Sequence, residues 1–121
     1  MNGYVSLSII TCVTRTNLDS FAAVFHLYDD HEFLNDFAGQ ADDSVLPFHN
    51  ASDAYNIYNG NGNYDSSHKG QSYYDFRYGD VAFFVMDTRR YRSDVKTEDA
   101  SSRTMLGDNQ RAAFYRWLVQ V

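Results

Sequence analysis

A chain of 121 residues with 44% apolar and 17% aromatic residues can bury the core of one domain but not of two. Ten Lys and Arg against sixteen Asp and Glu give a net charge of -6, which argues against an electrostatic grip on nucleic acid or on an anionic membrane surface. No apolar run reaches the roughly 20 residues of a membrane-spanning helix, and the single cysteine, Cys12, excludes an internal disulfide and a four-cysteine zinc site. The acidic residues are nearly all Asp, with Glu only at 32 and 98, and Asn is abundant; these residues make turns and also supply short oxygen ligands for hard cations.

The segment Tyr4 to Val13 is weakly like a signal-peptide core, but no basic residue precedes it and no small-residue cleavage site follows. Residues 1–19 read as an unrelated or poorly ordered leader. The apolar stretch Phe21 to Tyr28 has the length of a buried strand and stops at four ionisable residues, Asp29, Asp30, His31 and Glu32. From about 39 to 71 the chain carries its only proline and many Asn, Asp, Gly and Ser, which reads as a long loop with little regular structure. Within it Asn50-Ala51-Ser52 fits a glycosylation acceptor, and Tyr55, Ile57, Tyr58 and Tyr64 are expected to pin the loop to the domain surface.

Tyr73 to Tyr78 alternates, Val81 to Met86 is apolar on both faces, and Gly79-Asp80 joins them; this predicts a hairpin whose second strand is central. That strand ends at Asp87-Thr88-Arg89-Arg90-Tyr91-Arg92, charge again at a carboxyl end, where open α/β sheets build their sites. Asp108 reads as a helix N-cap, and Phe114, Trp117, Leu118 and Val121 recur at helical spacing, so the chain closes with an amphipathic helix.

Two carboxylates beside an imidazole can hold a divalent or trivalent cation and move a proton. Asp29, Asp30 and His31 are therefore the strongest constellation, with Asn35 and Asp36 one helical turn further on as additional ligands or mere surface groups. The competing reading is an acidic helix start, in which Asp29 or Asp30 caps the first turn and His31 is solvated. Asn59-x-Asn61-x-Asn63 fails as a calcium loop, because Tyr64 stands where the sharp-turn glycine is needed and Gly70 where the bidentate glutamate belongs. No nucleophile elbow and no phosphate-cradling lysine loop is present. His26, His49 and His68 have no partner at ligand spacing; Arg89, Arg90 and Arg92 either bind an oxyanion or pair with the surplus Asp.

Four motifs in order, Tyr28-Asp29-Asp30-His31-Glu32 with Asn35-Asp36, Tyr74-x-Phe76-Arg77-Tyr78-Gly79-Asp80-Val81, Asp87 to Arg92, and Thr104-Met105-Leu106-Gly107 with Gln110 and Trp117-Leu118, resemble the PhoD-like metallophosphatases, the alkaline phosphatase D family, most closely its fungal branch. The resemblance covers about residues 20–121 and implies an α/β fold, a partial calcineurin-like α/β/β/α sandwich truncated at both ends. It further implies a metal-dependent phosphoric ester hydrolase with ions of iron and calcium type and a phosphate ester as substrate. By this resemblance His31 is the acid that protonates the leaving oxygen, Asp30 a metal ligand, Asp29 a ligand or orienting group, and Asn35 and Asp36 further candidate ligands. The family's cysteine-containing strand motif and its Gly-Asp motif with a tyrosine and a further aspartate, both expected before the tetrad, and its late Gly-Asp-x-His motif are absent, and Cys12 lies too close to Asp29 to be the family cysteine. An incomplete sheet is then expected, with Val81 to Met86 poorly shielded. The alternative to a phosphatase fragment is a noncatalytic acidic module, derived from the same fold, that binds a cation or a protein.

Overall fold

Gly79 adopts φ +57, as the first central residue of a II′ hairpin turn requires, and it lets the chain reverse between strands β1 (Tyr74–Tyr78) and β2 (Val81–Val85). The strands pair antiparallel with Tyr74 opposite Val85, Phe76 opposite Phe83 and Tyr78 opposite Val81. The computed structural model describes residues 25–39, 46, 48–66, 70–94 and 99–121, and among these the only sheet is this two-stranded hairpin. Helices α1 (Phe48–Tyr58) and α2 (Gly107–Gln120) and a 3-10 turn at Gly60–Gly62 complete the regular structure, a mixed helix and antiparallel-sheet arrangement.

Alternation across the hairpin divides its two faces. Ala82 and Phe84 project to one side, where they are buried with Tyr73 against Ala113 and Trp117 of α2, and Met86, Tyr91 and Phe114 close the cluster. The Phe84 and Trp117 rings lie 5.5 Å apart, and burying an aromatic of this size contributes about 1.5–3 kcal/mol. On the other side Phe76 stacks on its cross-strand partner Phe83 at 4.8 Å, on Tyr64 at 4.7 Å and against Phe25 at 4.5 Å. Both faces of β2 are thus covered, which explains its unbroken apolar run. The expected exposure of Val81 to Met86 is corrected accordingly: Ala82 and Phe84 are each only 7% exposed. Among the described residues β1 is the strand paired with β2.

A second aromatic layer joins Phe33, Phe37 and Phe48, with Phe33 and Phe48 stacked at 5.2 Å, and Tyr28 meets Phe33 and Tyr55 edge-on at 4.6 and 5.1 Å. This layer explains α1, an 11-residue helix inside the segment 39–71, expected to be a long loop with little regular structure. Phe48, Ala51, Ser52 and Tyr55 follow one another at helical spacing and form the buried or half-buried stripe. Only two of those four are aromatic, so tertiary contact with Phe33 and Tyr28 holds the helix more than any strong periodicity. Tyr55 and Tyr64 anchor the segment as expected; Ile57 and Tyr58 do not, being 65% and 70% exposed.

The predicted strand 21–28 falls partly outside the described residues, and Phe25 to Tyr28 carry no sheet pairing. Asn63 takes the place of a neighbouring strand there. Its carboxamide accepts from His26 N–H at 2.7 Å and donates to His26 C=O at 2.8 Å. Helix α2 begins after Leu106, with Asp108 inside its first turn rather than at the cap, paired to Arg111 at 2.8 Å. Its buried stripe is Gln110, Ala113 and Trp117; Leu118 and Val121, expected on that stripe, are exposed.

Candidate functional site

The site starts at Tyr28, the last residue before the acidic tetrad, whose ring is buried in the second aromatic layer and whose hydroxyl donates to Asp87 Oδ2 and accepts from the Ser72 hydroxyl, 3.2 Å away. Burial first, and then the Asp87 carboxylate, push the Tyr28 hydroxyl far above its ordinary value of 10.0, so it stays protonated and donating. Asp87, at the end of β2, has no solvent exposure. Its Oδ1 accepts the backbone N–H groups of Arg89 at 2.9 Å and Arg90 at 2.8 Å, which fixes the turn leaving the sheet. Gln110 of α2, also fully buried, accepts from Asp87 N–H and donates to Asp87 C=O, both at 2.7 Å. Every polar group of Asp87 is therefore used to hold the sheet end, the pre-tetrad segment and α2 together.

That turn aims consecutive arginines in different directions. Arg90 donates to Gly70 C=O at 2.6 Å and places its guanidinium over the Phe48 and Tyr91 rings, each 5.4 Å away. Arg89 reaches the tetrad instead. Its Nε lies 2.5 Å from Asp29 Oδ1 and its Nη2 3.5 Å from Asp30 Oδ1. Gly39 makes room for this stretch, because its N–H donates to Arg89 C=O at 2.9 Å and a Cβ on it would stand 2.5 Å from Arg90 O.

The tetrad itself is a turn. Phe33 and Leu34 N–H both donate to Asp30 C=O, at 2.9 and 2.8 Å, and the Glu32 carboxylate accepts Asp29 N–H at 2.8 Å, as in a capping box. Asp36 closes the turn in the left-handed region, φ 61, with its N–H donating to Asp30 Oδ2 at 2.8 Å. That bond first, and Arg89 after it, hold the Asp30 carboxyl below its ordinary value of 3.8. His31 is exposed and donates from Nε2 to Asn35 Oδ1 at 2.9 Å, while Asn35 Nδ2 donates to Asp36 Oδ2 at 2.9 Å. The bond to Asn35 first, then the charges of Asp30, Asp29 and Glu32, raise the His31 imidazole above 6.5. No helix starts at the tetrad, which forms a turn; Asp30 is turned inward to Asp36 and Arg89, and His31 is solvated as the helix-start reading had it. The cavities beside Tyr28, of about 210 and 260 Å³, are lined by neither Asp30 nor His31.

Asp29, Asp30, Asn35 and Asp36 are the right donors in kind for a hard cation. They do not fit one as arranged. Asp29 and Asp30 face a guanidinium, Asn35 Oδ1 is taken by His31, and among the described residues no group of three or more His, Cys, Asp or Glu is placed to hold a metal ion. Of the other histidines, His26 binds Asn63 through its backbone, His49 lies 3.6 Å from Asp53 on the exposed face of α1, and His68 lies outside the described residues.

Reading residue types missed the joint of Tyr28, Asp87 and Gln110. The available signal was a glutamine on the buried stripe of α2, three residues before Ala113 and seven before Trp117.

The acidic turn and the arginine turn, separated by 60 positions from Asp29 to Arg89, are thus brought into one charged contact. The family model described as PhoD-like phosphatase matches residues 15–121, a span that includes both turns, the hairpin and α2. No curated protein and no solved structure matches the chain. With nearly its whole length matched, the chain belongs to the PhoD-like phosphatase family.

Proposed function

We propose that the chain carries the proton-donating part of a phosphoric-ester-hydrolysing site, with His31 as the acid, on a calcineurin-like α/β/β/α frame of the fungal PhoD type. The observation that carries this reading is the His31 imidazole: exposed to an incoming ester, tied to Asn35, and held above its ordinary value of 6.5 by that bond and by the carboxylates around it. As the P–O bond to the leaving group breaks, the departing oxygen gains charge, and proton transfer from His31 offsets that charge and leaves a neutral ring. The Nε2–Asn35 bond presents Nδ1 as the nitrogen open to the ester. Arg89 offsets one of the two negative charges of Asp29 and Asp30, which lessens their repulsion of a phosphate group. No step is assigned through iron- or calcium-type ions, since the residues present do not fit them as arranged.

The test uses phenyl phosphate as the probe. Added to the 121-residue chain, it should shift the His31 ring resonances in NMR, and the shift should vanish in Asn35→Ala if that bond orients the ring. Hydrolysis of p-nitrophenyl or bis-p-nitrophenyl phosphate with iron, calcium, manganese or zinc should stay at the metal-only background, because the described residues assemble no metal ligand set. Turnover that His31→Ala abolishes would show a complete site and refute the restriction to proton donation. An ester that leaves residues 28–36 and 87–92 unperturbed would refute the phosphatase reading in favour of the noncatalytic acidic module.

A further inference from the structure

We infer that Arg89 is the resident counter-cation of the Asp29–Asp30 pair, so that these carboxylates accept a hard metal ion only when the guanidinium leaves. The inference does not depend on the chain hydrolysing anything; it rests on how the two turns meet. Arg89 is held along its backbone, with N–H on the buried Asp87 carboxylate at 2.9 Å and C=O accepting Gly39 N–H at 2.9 Å. Its side chain, only 17% exposed, therefore leaves a fixed base and reaches Asp29 at 2.5 Å and Asp30 at 3.5 Å.

Asp30 has its other oxygen on Asp36 N–H at 2.8 Å and is 12% exposed in its side chain, so it has no free face to turn toward a second cation. Asp29, 44% exposed in its side chain, cannot by itself make a site. A divalent ion at the pair would lie beside a charged guanidinium that takes the same oxygens, and the two cations would repel across a few ångströms. Planar, two-point contact with two carboxylates is a task that arginine performs and a hydrated lysine ammonium performs less well.

The experiment is Mn²⁺ titration of the full chain, followed by calorimetry and by paramagnetic broadening of backbone amide signals, in wild type, Arg89→Gln, Arg89→Gln/Asp30→Asn and Arg89→Lys. Arg89→Gln should bind Mn²⁺ about two- to fivefold more tightly than wild type, since screened charge pairs at partly exposed sites act on this scale. Broadening should then centre on residues 29 and 30. The added Asp30→Asn change should cancel the gain, and Arg89→Lys should fall between wild type and Arg89→Gln. Equal Mn²⁺ affinity in wild type and Arg89→Gln would overturn the inference. Should Arg89→Gln fail to fold, wild type alone decides. Broadening of Asp29 and Asp30 no earlier than that of exposed Asp108 and Asp53 supports the counter-cation, and broadening focused first on Asp29 and Asp30 overturns it.

Discussion

Replacing Gln110 by Ala removes the side chain that seals the end of β2 against α2. The Gln110 carboxamide satisfies Asp87 N–H and Asp87 C=O, both at 2.7 Å, and also reaches Leu106 C=O at 3.2 Å. Neither Asp87 nor Gln110 has any solvent exposure, so the truncation leaves two buried backbone groups without partners. Each such group costs about 1–3 kcal/mol, so the expected loss is roughly 2–6 kcal/mol. A domain of this length has a total stability of roughly 6–18 kcal/mol, and the variant should approach unfolding. Gln110→Glu should be no better, because one carboxylate oxygen would face Asp87 C=O and a charge would be buried beside the Asp87 carboxylate. Urea unfolding followed by fluorescence of the single tryptophan, Trp117, which packs on Phe84, reads the change directly. Arg111→Ala, on the exposed face of the same helix, serves as control and should stay within about 0.5 kcal/mol. A Gln110→Ala loss below about 1 kcal/mol, no larger than an ordinary exposed hydrogen bond, would refute the argument that this side chain closes a dry joint.

Tyr28→Phe should cost about 1–3 kcal/mol in the same assay, because it leaves Asp87 Oδ2 without its donor. Tyr28 and Tyr74, whose buried hydroxyl is pushed up to about 12, both bind their protons more tightly folded than unfolded. Their contribution is therefore complete below pH 10 and is lost as pH rises above it, and spectrophotometric titration should show both tyrosines ionising together with alkaline unfolding. Gly39→Ala should lower the melting temperature, since the new Cβ meets the backbone of Arg90 at 2.5 Å and no side-chain adjustment relieves it. His31 gains stability from its raised value and Asp30 from its lowered one: the first contribution should fade as pH rises above 6.5, the second as pH falls below 3.8. His31→Ala should flatten the first limb of the plot of urea midpoint against pH and Asp30→Asn the second, and Asp30→Asn should also diminish the first, because the Asp30 charge helps to raise His31.

Local chemistry determined a good part of this protein before any fold was in view. The alternation of Tyr74 to Tyr78, the apolar run from Val81 and the glycine-first turn specify a hairpin by themselves, because a period of two and a residue that tolerates positive φ are properties of the chain. The spacing of Phe114, Trp117, Leu118 and Val121 likewise announces α2, and the order of the tetrad, hairpin and arginine motifs carries the family. Helix α1 was hidden because its sequence is neutral for helix; it exists through the rings of Phe33 and Tyr28, contributed by a distant segment. Roles at the site were hidden for the same reason. Asp29, Asp30 and Asp87 look alike as residue types, yet tertiary contacts give the first two to Arg89 and close the third against Tyr28 and Gln110. Whether a carboxylate faces a guanidinium, an amide or an open coordination position depends on which distant backbone arrives beside it, and only packing across the whole domain decides that.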